Sequence, residues 1–261
     1  MSTDPLTSVP APAQGSPIAR ALVLVYGTLT YLGFLGTFLY LIGWTGNLIV
    51  PRSIDAEATS SLGASIAVNV AILALFAVQH TVMARAAFKR WWTRFVPEPI
   101  ERSTYVLFTV AILILLIVEW RSLPDVVWQL ENGVLKAAVW ALFGVGWGVV
   151  LFSTFIIDHF DLFGLKQTIF YARGLPYPSA EFKEVALYRY VRHPLMLGFL
   201  VAFWSAPVMT QGHLLFSAVI TAYVLIAIQI EERELISIHG EDYEQYRRRV
   251  PMLLPTLRRK T

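Results

Sequence analysis

Six long apolar segments restrict the architecture of this chain more than any other feature. They run from Ile18 to Trp44, Leu62 to Met83, Thr104 to Trp120, Val134 to Ile157, Pro194 to Val208 and His213 to Ile230. A helix needs about 20 apolar residues to cross the hydrocarbon core of a bilayer. The pattern predicts an all-α fold: a polytopic integral membrane helix bundle of five or six transmembrane segments. The count turns on the fifth segment, which is short, ends near Pro207 and reads either as a tilted or as a half-spanning helix. Gly144, Gly146 and Gly148 in the fourth suit close helix approach in lipid.

Only 15% of the residues are charged, where a soluble domain carries about a quarter. Residues 1–16, rich in Pro, Ser, Thr and Ala, read as a disordered tail ahead of one integral-membrane domain over 17–261. The tail lacks the basic start of a signal peptide, and the apolar run behind it is too long for one. The chain has no Cys, which removes disulfides, thiolate metal sites, a Cys nucleophile and S-palmitoylation.

The basic residues set a direction. The 84–103 loop carries Arg85, Lys89, Arg90, Arg94 and Arg102, and the 158–193 loop carries Lys166, Arg173, Lys183, Arg189 and Arg192. The tail adds Arg233, Arg247, Arg248, Arg249, Arg258, Arg259 and Lys260. With Arg20 these make 18 of the 21 Lys and Arg residues, and only Arg52, Arg121 and Lys136 fall on the other side. Cytoplasmic loops hold the excess of Lys and Arg, so both termini and the two basic loops are expected in the cytoplasm, from a bacterial inner membrane. The bases sit beside apolar segments, so the lipid bilayer is the expected partner and nucleic acid is not. Residues 85–95 read as a short interfacial helix, with Phe88, Trp91, Trp92 and Phe95 dipping into lipid. They either only anchor the chain or also touch substrate.

Polar residues concentrate at segment ends on that same side: Gln79 and His80, Glu101 to Ser103 with Tyr105, Asp158-His159-Phe160-Asp161, Arg192-His193, and Glu231-Glu232. Ionisable groups at membrane depth are costly and mark function. A one-sided site suits a soluble, charged cofactor, whereas a transporter needs polar groups near mid-membrane. Pro194 should begin a helix, leaving His193 extended with its ring free. Arg192 then either grips a carboxylate in a fork or snorkels to phosphate. Glu231-Glu232 can hold ribose hydroxyls, an ammonium or a sulfonium, or pair with Arg192 or Arg189. Tyr243 and Tyr246 share a helix face and either cover a nucleobase or pack at the interface.

Together, Arg192-His193-Pro194-x-x-x-Gly198, the apolar hairpin, Glu231-Glu232 and Gly240-x-x-Tyr243-x-x-Tyr246 with Pro251 and Pro255 resemble the isoprenylcysteine carboxyl methyltransferase superfamily. The resemblance implies an integral-membrane enzyme using S-adenosyl-L-methionine, with a cytoplasmic cofactor site over residues 188–255. It implies a pocket lined by Tyr190, Arg192, His193, Pro194, Gly198, Glu231, Glu232, Tyr243 and Tyr246. Met196 stands where many members carry an aromatic residue. Three further motifs, Gln79 to Arg85, Pro97 to Tyr105 and Asp158 to Gln167, resemble the bacterial methanethiol S-methyltransferases and extend the likeness to about residues 18–255. The first of them is shared with other membrane branches.

The resemblance implies methylation of methanethiol to dimethyl sulfide. The thiolate is the competent nucleophile, and a base within hydrogen-bond reach assists. His159 is the leading candidate, oriented by Asp161 or Asp158, followed by His80, Gln79 and Tyr105. Phe160, Phe163 and Leu165 can wall a small apolar thiol. His213 and His239 read as surface residues, and the histidines lack a metal-binding spacing, so no metal is expected. Two alternatives stand beside this reading. One is a methyltransferase of the same superfamily acting on a lipidic or protein-linked substrate, and the other a non-catalytic membrane transport or regulatory protein.

Overall fold

The computed structural model describes residues 15–57, 60–178 and 185–255. The helices are α1 (Pro17–Gly46), α2 (Leu62–Ala84), α3 (Ala86–Trp92), α4 (Glu98–Glu119), α5 (Gly133–Ile157), α6 (His159–Leu162), α7 (Leu165–Arg173), α8 (Pro194–Trp204), α9 (Gln211–His239) and α10 (Glu241–Arg249). Of these, α1, α2, α4, α5 and α9 are long and apolar enough to cross a membrane, and the chain is an integral membrane protein. Residues 1–14 of the expected tail, with Lys183, Arg258, Arg259 and Lys260, lie outside the described residues. Ser16 belongs to α1, because its hydroxyl caps the helix by accepting from the Ala19 amide at 3.2 Å.

Helix ends explain where the segments depart from expectation. The third begins six residues early, at Glu98, because Pro99 fits the first turn and Glu98 and Glu101 face the positive end of the helix. The fifth is an 11-residue helix, about 16 Å long and about half the hydrocarbon core. The chain still reaches the far end of the bundle. Past Trp204 it runs extended into β2 (Val208–Thr210), which pairs antiparallel with β1 (Val126–Gln129) in the α4–α5 connection.

Glycines let α8 lie against α5. A Cβ on Gly146 would come within 2.5 Å of the Ala202 amide nitrogen, and one on Gly198 within 2.8 Å of the Gly146 carbonyl oxygen. Gly144 and Gly148 meet nothing, so only Gly146 of the expected stripe makes the contact.

The loops gather at two opposite ends. At the ribbon end, the Arg52 guanidinium donates to the Trp120 carbonyl at 2.8 Å, Asn69 bonds both the amide and the carbonyl of Arg121 at 2.8 Å, and the Gln211 amide donates to the Asp125 carbonyl at 2.8 Å. Trp44, Trp120 and Phe216 pack edge-to-face beneath them. His213 is buried here, with Nε2 2.9 Å from the Phe203 carbonyl. The expected surface placement is therefore corrected. Thr210 caps α9, and the third residue of the helix faces inward. His239 is half-buried.

The basic end collects the α2–α4 connection, the described part of the α5–α8 connection and residues 232–255. Arg85 pairs with Glu234 at 2.6 Å, and Arg102 donates to the Leu162 carbonyl at 2.8 Å. On α3 and just beyond it, Trp91 and Phe95 are exposed, while Phe88, Lys89 and Trp92 are half-buried.

Candidate active site

Glu232 is the hub of the basic end. Pro194 starts α8 and holds His193 at φ −126°, ψ 63°, outside the helix. The backbone beside it pairs with the tail: the Arg192 amide donates to Pro251 at 2.9 Å and the His193 amide to Met252 at 3.2 Å. This pairing aims both side chains at α9. Arg192 Nε donates to Glu232 Oε1 at 2.7 Å, His193 Nε2 lies 3.1 Å from the same oxygen, and Arg247 Nε lies 3.2 Å from Oε2. A second Arg192 nitrogen donates to the Arg247 and Val250 carbonyls. The His193 ring is thus engaged rather than free, and Arg192 is held inside the protein rather than snorkelling. Arg247 was missed because it stands among three consecutive arginines that read as tail charge.

Glu231 behaves differently from its neighbour. Its side chain is 41% exposed, against 3% for Glu232, and its nearest ionisable partner is His193 Nδ1 at 3.9 Å. One carboxylate of the pair is consumed by structure and the other is accessible.

Four expected pocket residues stand elsewhere. Tyr243 and Tyr246 are buried with Val250, Leu235 and Ile236, their rings 5.7 Å apart, and Tyr246 donates to the Tyr188 carbonyl at 2.6 Å. Burial pushes the Tyr188 and Tyr243 phenols above their ordinary range, with Glu231 adding to the rise at Tyr188 and Glu232 at Tyr243. Both stay neutral. They back the hub instead of lining a pocket. Tyr190 points outward, 64% exposed. Gly198 is consumed by contact with α5.

Towards the basic end, α2 and α9 meet through side chains that are only partly covered. On α2, Ser65, Asn69, Ile72 and Leu73 are buried, yet Phe76 and His80, which continue the same face at helical spacing, are only half-buried. On α9, Val224 and Ile228 are buried while Tyr223 and Glu231 beside them are not fully so. Phe76 joins the two faces: it stacks on His80 at 5.1 Å and meets Tyr223 edge-on at 5.9 Å. Thr81 donates to the Tyr223 hydroxyl at 3.3 Å. The Tyr105 hydroxyl lies 2.9 Å from His80 Nδ1, and Gln79 reaches Thr109 at 3.3 Å. Gln79, His80 and Tyr105 therefore form one cluster, which Phe76 and Thr81 connect to Tyr223 of α9.

His159 lies in a cage that shares Phe163 with the packing around Tyr105. It is buried, stacked on Phe155 at 4.4 Å and met edge-on by Phe163 at 4.9 Å. Nδ1 is 2.8 Å from the Thr154 hydroxyl, and Nε2 is 2.9 Å from the Tyr31 hydroxyl. The single Thr154 proton goes to the Leu151 carbonyl at 2.7 Å. Nδ1–H must then donate to Thr154, which leaves Nε2 to accept from Tyr31. Neither expected carboxylate orients the ring. The backbone reverses at Asp158, φ +147°, turning that side chain to Lys166 at 2.5 Å and to the Asp161 amide at 3.2 Å. Asp161 instead accepts from Gln167 at 3.0 Å.

Burial lowers the His159 pKa, partly offset by Asp158. Burial alone would raise the Asp158 pKa, but the bonds from Lys166 and the Asp161 amide outweigh it and hold it low. Burial raises Asp161, and the Asp158 charge adds to the rise.

Of the expected walls, Phe160 is 45% exposed at the rim, Leu165 is half-buried at the start of α7, and Phe163 stacks on Phe34. Tyr31 and Phe34 carried no sequence signal, being two aromatics within an apolar run.

The family described as NnrU protein matches residues 68–257. The chain is 52% identical to the methanethiol S-methyltransferase of Mycobacterium tuberculosis, over 93% of this chain and 99% of that protein. It is 47% identical to the protein of the same name from Crocosphaera subtropica, over 94% and 96%. It is 29% identical to Nurim of Rattus norvegicus, over 67% and 70%. No solved structure matches.

Proposed function

We propose a function from a fact of kinship: the chain belongs to the NnrU/isoprenylcysteine carboxyl methyltransferase-like family. It methylates methanethiol to dimethyl sulfide with S-adenosyl-L-methionine as donor, from the cytoplasmic face of a bacterial inner membrane, where its basic end lies. Relatives bearing the methanethiol S-methyltransferase name over nearly the whole chain support the substrate. One observation carries the geometry: Glu231 keeps a half-exposed carboxylate on α9, and Tyr223 of the same helix meets Phe76 and Thr81, which flank His80 on α2.

The residues fit the donor. Glu231 offers an anion to its cationic or hydroxyl groups. Arg247, half-exposed, and His193 stand beside it. Arg192, neutralised by Glu232, positions this edge. When bound, the donor supplies a methyl group on a sulfonium, and a sulfur–carbon bond to the thiol forms as the sulfonium carbon–sulfur bond breaks. His80 takes the thiol proton, held by Tyr105 and flanked by Phe76 and Gln79. His159 serves less well: Thr154 and Tyr31 hold its two nitrogens separately inside an aromatic cage, whereas both His80 nitrogens approach the same Tyr105 hydroxyl, at 2.9 and 3.0 Å, which can engage only one of them at a time.

Headspace gas chromatography with methanethiol and donor tests the reading. Wild-type protein should release dimethyl sulfide. His80→Ala should lose about 10²–10⁴-fold in turnover with donor affinity, by calorimetry, within a few-fold, while His159→Ala should lose far less. The reverse order would make His159 the base. Donor binding without dimethyl sulfide would favour a lipidic or protein-linked substrate, and no donor binding would favour a non-catalytic protein.

A further inference from the structure

We infer that Phe34 of α1, stacked on Phe163, is the wall that limits the thiol to the shortest alkyl chains. The inference rests on the methyltransferase reading and deepens it. One face of α1 turns inward at helical spacing: Gly27, Tyr31, Phe34, Phe38, Leu41 and Trp44. Gly27 sets the docking, because a Cβ there would come within 2.4 Å of the Thr168 hydroxyl on α7. Gly27 and Leu41 on this stripe are buried, but Phe34 is only half-buried, so part of its ring stays uncovered.

What Phe34 touches gives it a function. Its ring lies on Phe163 with centroids 3.7 Å apart at 21°. Both rings pack against Met83, Tyr105 and Val106, and Tyr105 is the residue that holds His80. The stack therefore stands directly beside the cluster proposed to receive the thiol.

The Phe163 side of the stack is rigid for a visible reason. Two sequence motifs interlock behind it: Arg102 Nε donates to the Leu162 carbonyl at 2.8 Å and the Ser103 hydroxyl to the Gly164 carbonyl at 3.2 Å. Gly164 has φ +85°, and a Cβ there would come within 2.6 Å of the Ser103 nitrogen, so the chain is clamped on both sides of Phe163. An interdigitated wall that cannot yield discriminates by size.

The placement of α1 supports a role in specificity over one in common chemistry. The NnrU match begins at residue 68, beyond α1. The relatives named for methanethiol match over more than nine-tenths of this chain. The element that brings Phe34 thus belongs to what this chain shares with them and lies outside the family-wide match.

The test is a chain-length profile. Purified wild type, Phe34→Ala and Phe163→Ala are given methanethiol, ethanethiol, 1-propanethiol and 1-butanethiol, and the methyl sulfides are read by headspace gas chromatography. One methylene in an apolar pocket is worth about 10–200-fold in discrimination. The wild type should fall by at least about tenfold at the first added methylene. Either variant should shift the butanethiol-to-methanethiol ratio of kcat/KM by at least about tenfold toward the longer thiol. Phe34→Leu, which keeps an apolar side chain for folding, should shift it in the same direction by less. A wild-type enzyme that makes dimethyl sulfide, with variants that lose activity equally on all four thiols or keep the wild-type ratio, overturns the wall. A wild type that makes no dimethyl sulfide overturns the methyltransferase reading instead.

Discussion

The two ends of the bundle differ in where their buried charges sit: the basic end gathers Arg192, His193 and Arg247 around Glu232, and the ribbon end holds its buried side chains largely on backbone. At the ribbon end, side chains bond to backbone: the Trp120 indole to the Ile54 carbonyl, Asn69 to both sides of Arg121, and His213 and Ser217 to Phe203. A backbone partner cannot swing away, and no ligand can replace it without unfolding a loop. At the basic end, charged side chains bond to one another around Glu232, and Glu231 and His80 keep surface on faces that are otherwise inward. Such partners can be traded for a ligand. The proposed site falls at the basic end because the buried charge cluster around Glu232 is there.

The sharpest way to break this comparison is Glu232→Ala. It leaves the buried Arg192 guanidinium, 8% exposed, without its carboxylate, and breaking a buried pair costs about 3–5 kcal/mol. Thermal unfolding in detergent should show that loss, and calorimetry should show donor binding abolished. Retained donor binding would remove the hub from the cofactor site. The matched change at the other end is Trp120→Ala. Removing a fully buried ring that packs on Trp44 and Phe216 costs about 3–5 kcal/mol. At a temperature where the variant is folded, donor affinity should be unchanged. A fall in affinity would mean that the two ends are coupled.

The comparison also shows which parts were legible in the sequence. Crossing segments were, because about 20 apolar residues have few other fates. The Arg192, His193 and Glu232 hub was legible as a set of residue types, but not its wiring. Sequence cannot say that the tail pairs with residues 192–193 and so brings Arg247 into the hub. For Tyr243 and Tyr246, a three-residue spacing specifies a shared face, not what covers it. The His159 partners were hidden for two reasons. Asp158 adopts a positive φ rare for a non-glycine residue, which turns the nearest carboxylate away. Tyr31 lies 128 residues distant in a helix with no polar pattern to single it out.

A smaller effect probes the clamp between α4 and α6. Gly164→Ala places a side chain at φ +85°, which costs about 1–2 kcal/mol for the left-handed backbone, with the close approach to Ser103 adding to it. The melting temperature should fall by less than for either change above. The thiol-length profile should broaden, since Phe163 loses one of its two fixed flanks. An unchanged melting temperature would show that the chain at Gly164 relaxes without cost.

The smallest expected effect lies in pH. Burial sets the His159 pKa below the ordinary value, and the Asp158 charge recovers only part of the shift. The unfolded chain, with a histidine pKa of about 6.5, therefore binds the proton at a higher pH than the folded chain does. The stability contributed by a neutral His159 is complete above about pH 6.5 and is lost as pH falls from there through the folded value. Asp161 acts with the opposite sign at lower pH, because burial raises its carboxyl and the folded chain protonates it first. The difference between wild type and His159→Gln isolates the histidine. Between about pH 7 and 5 the wild-type melting temperature should fall more steeply than that of the variant. Superimposable curves would mean that His159 takes up its proton equally in both states. The Tyr31–Thr154 cage would then no more exclude charge than the open carboxylate of Glu231 does.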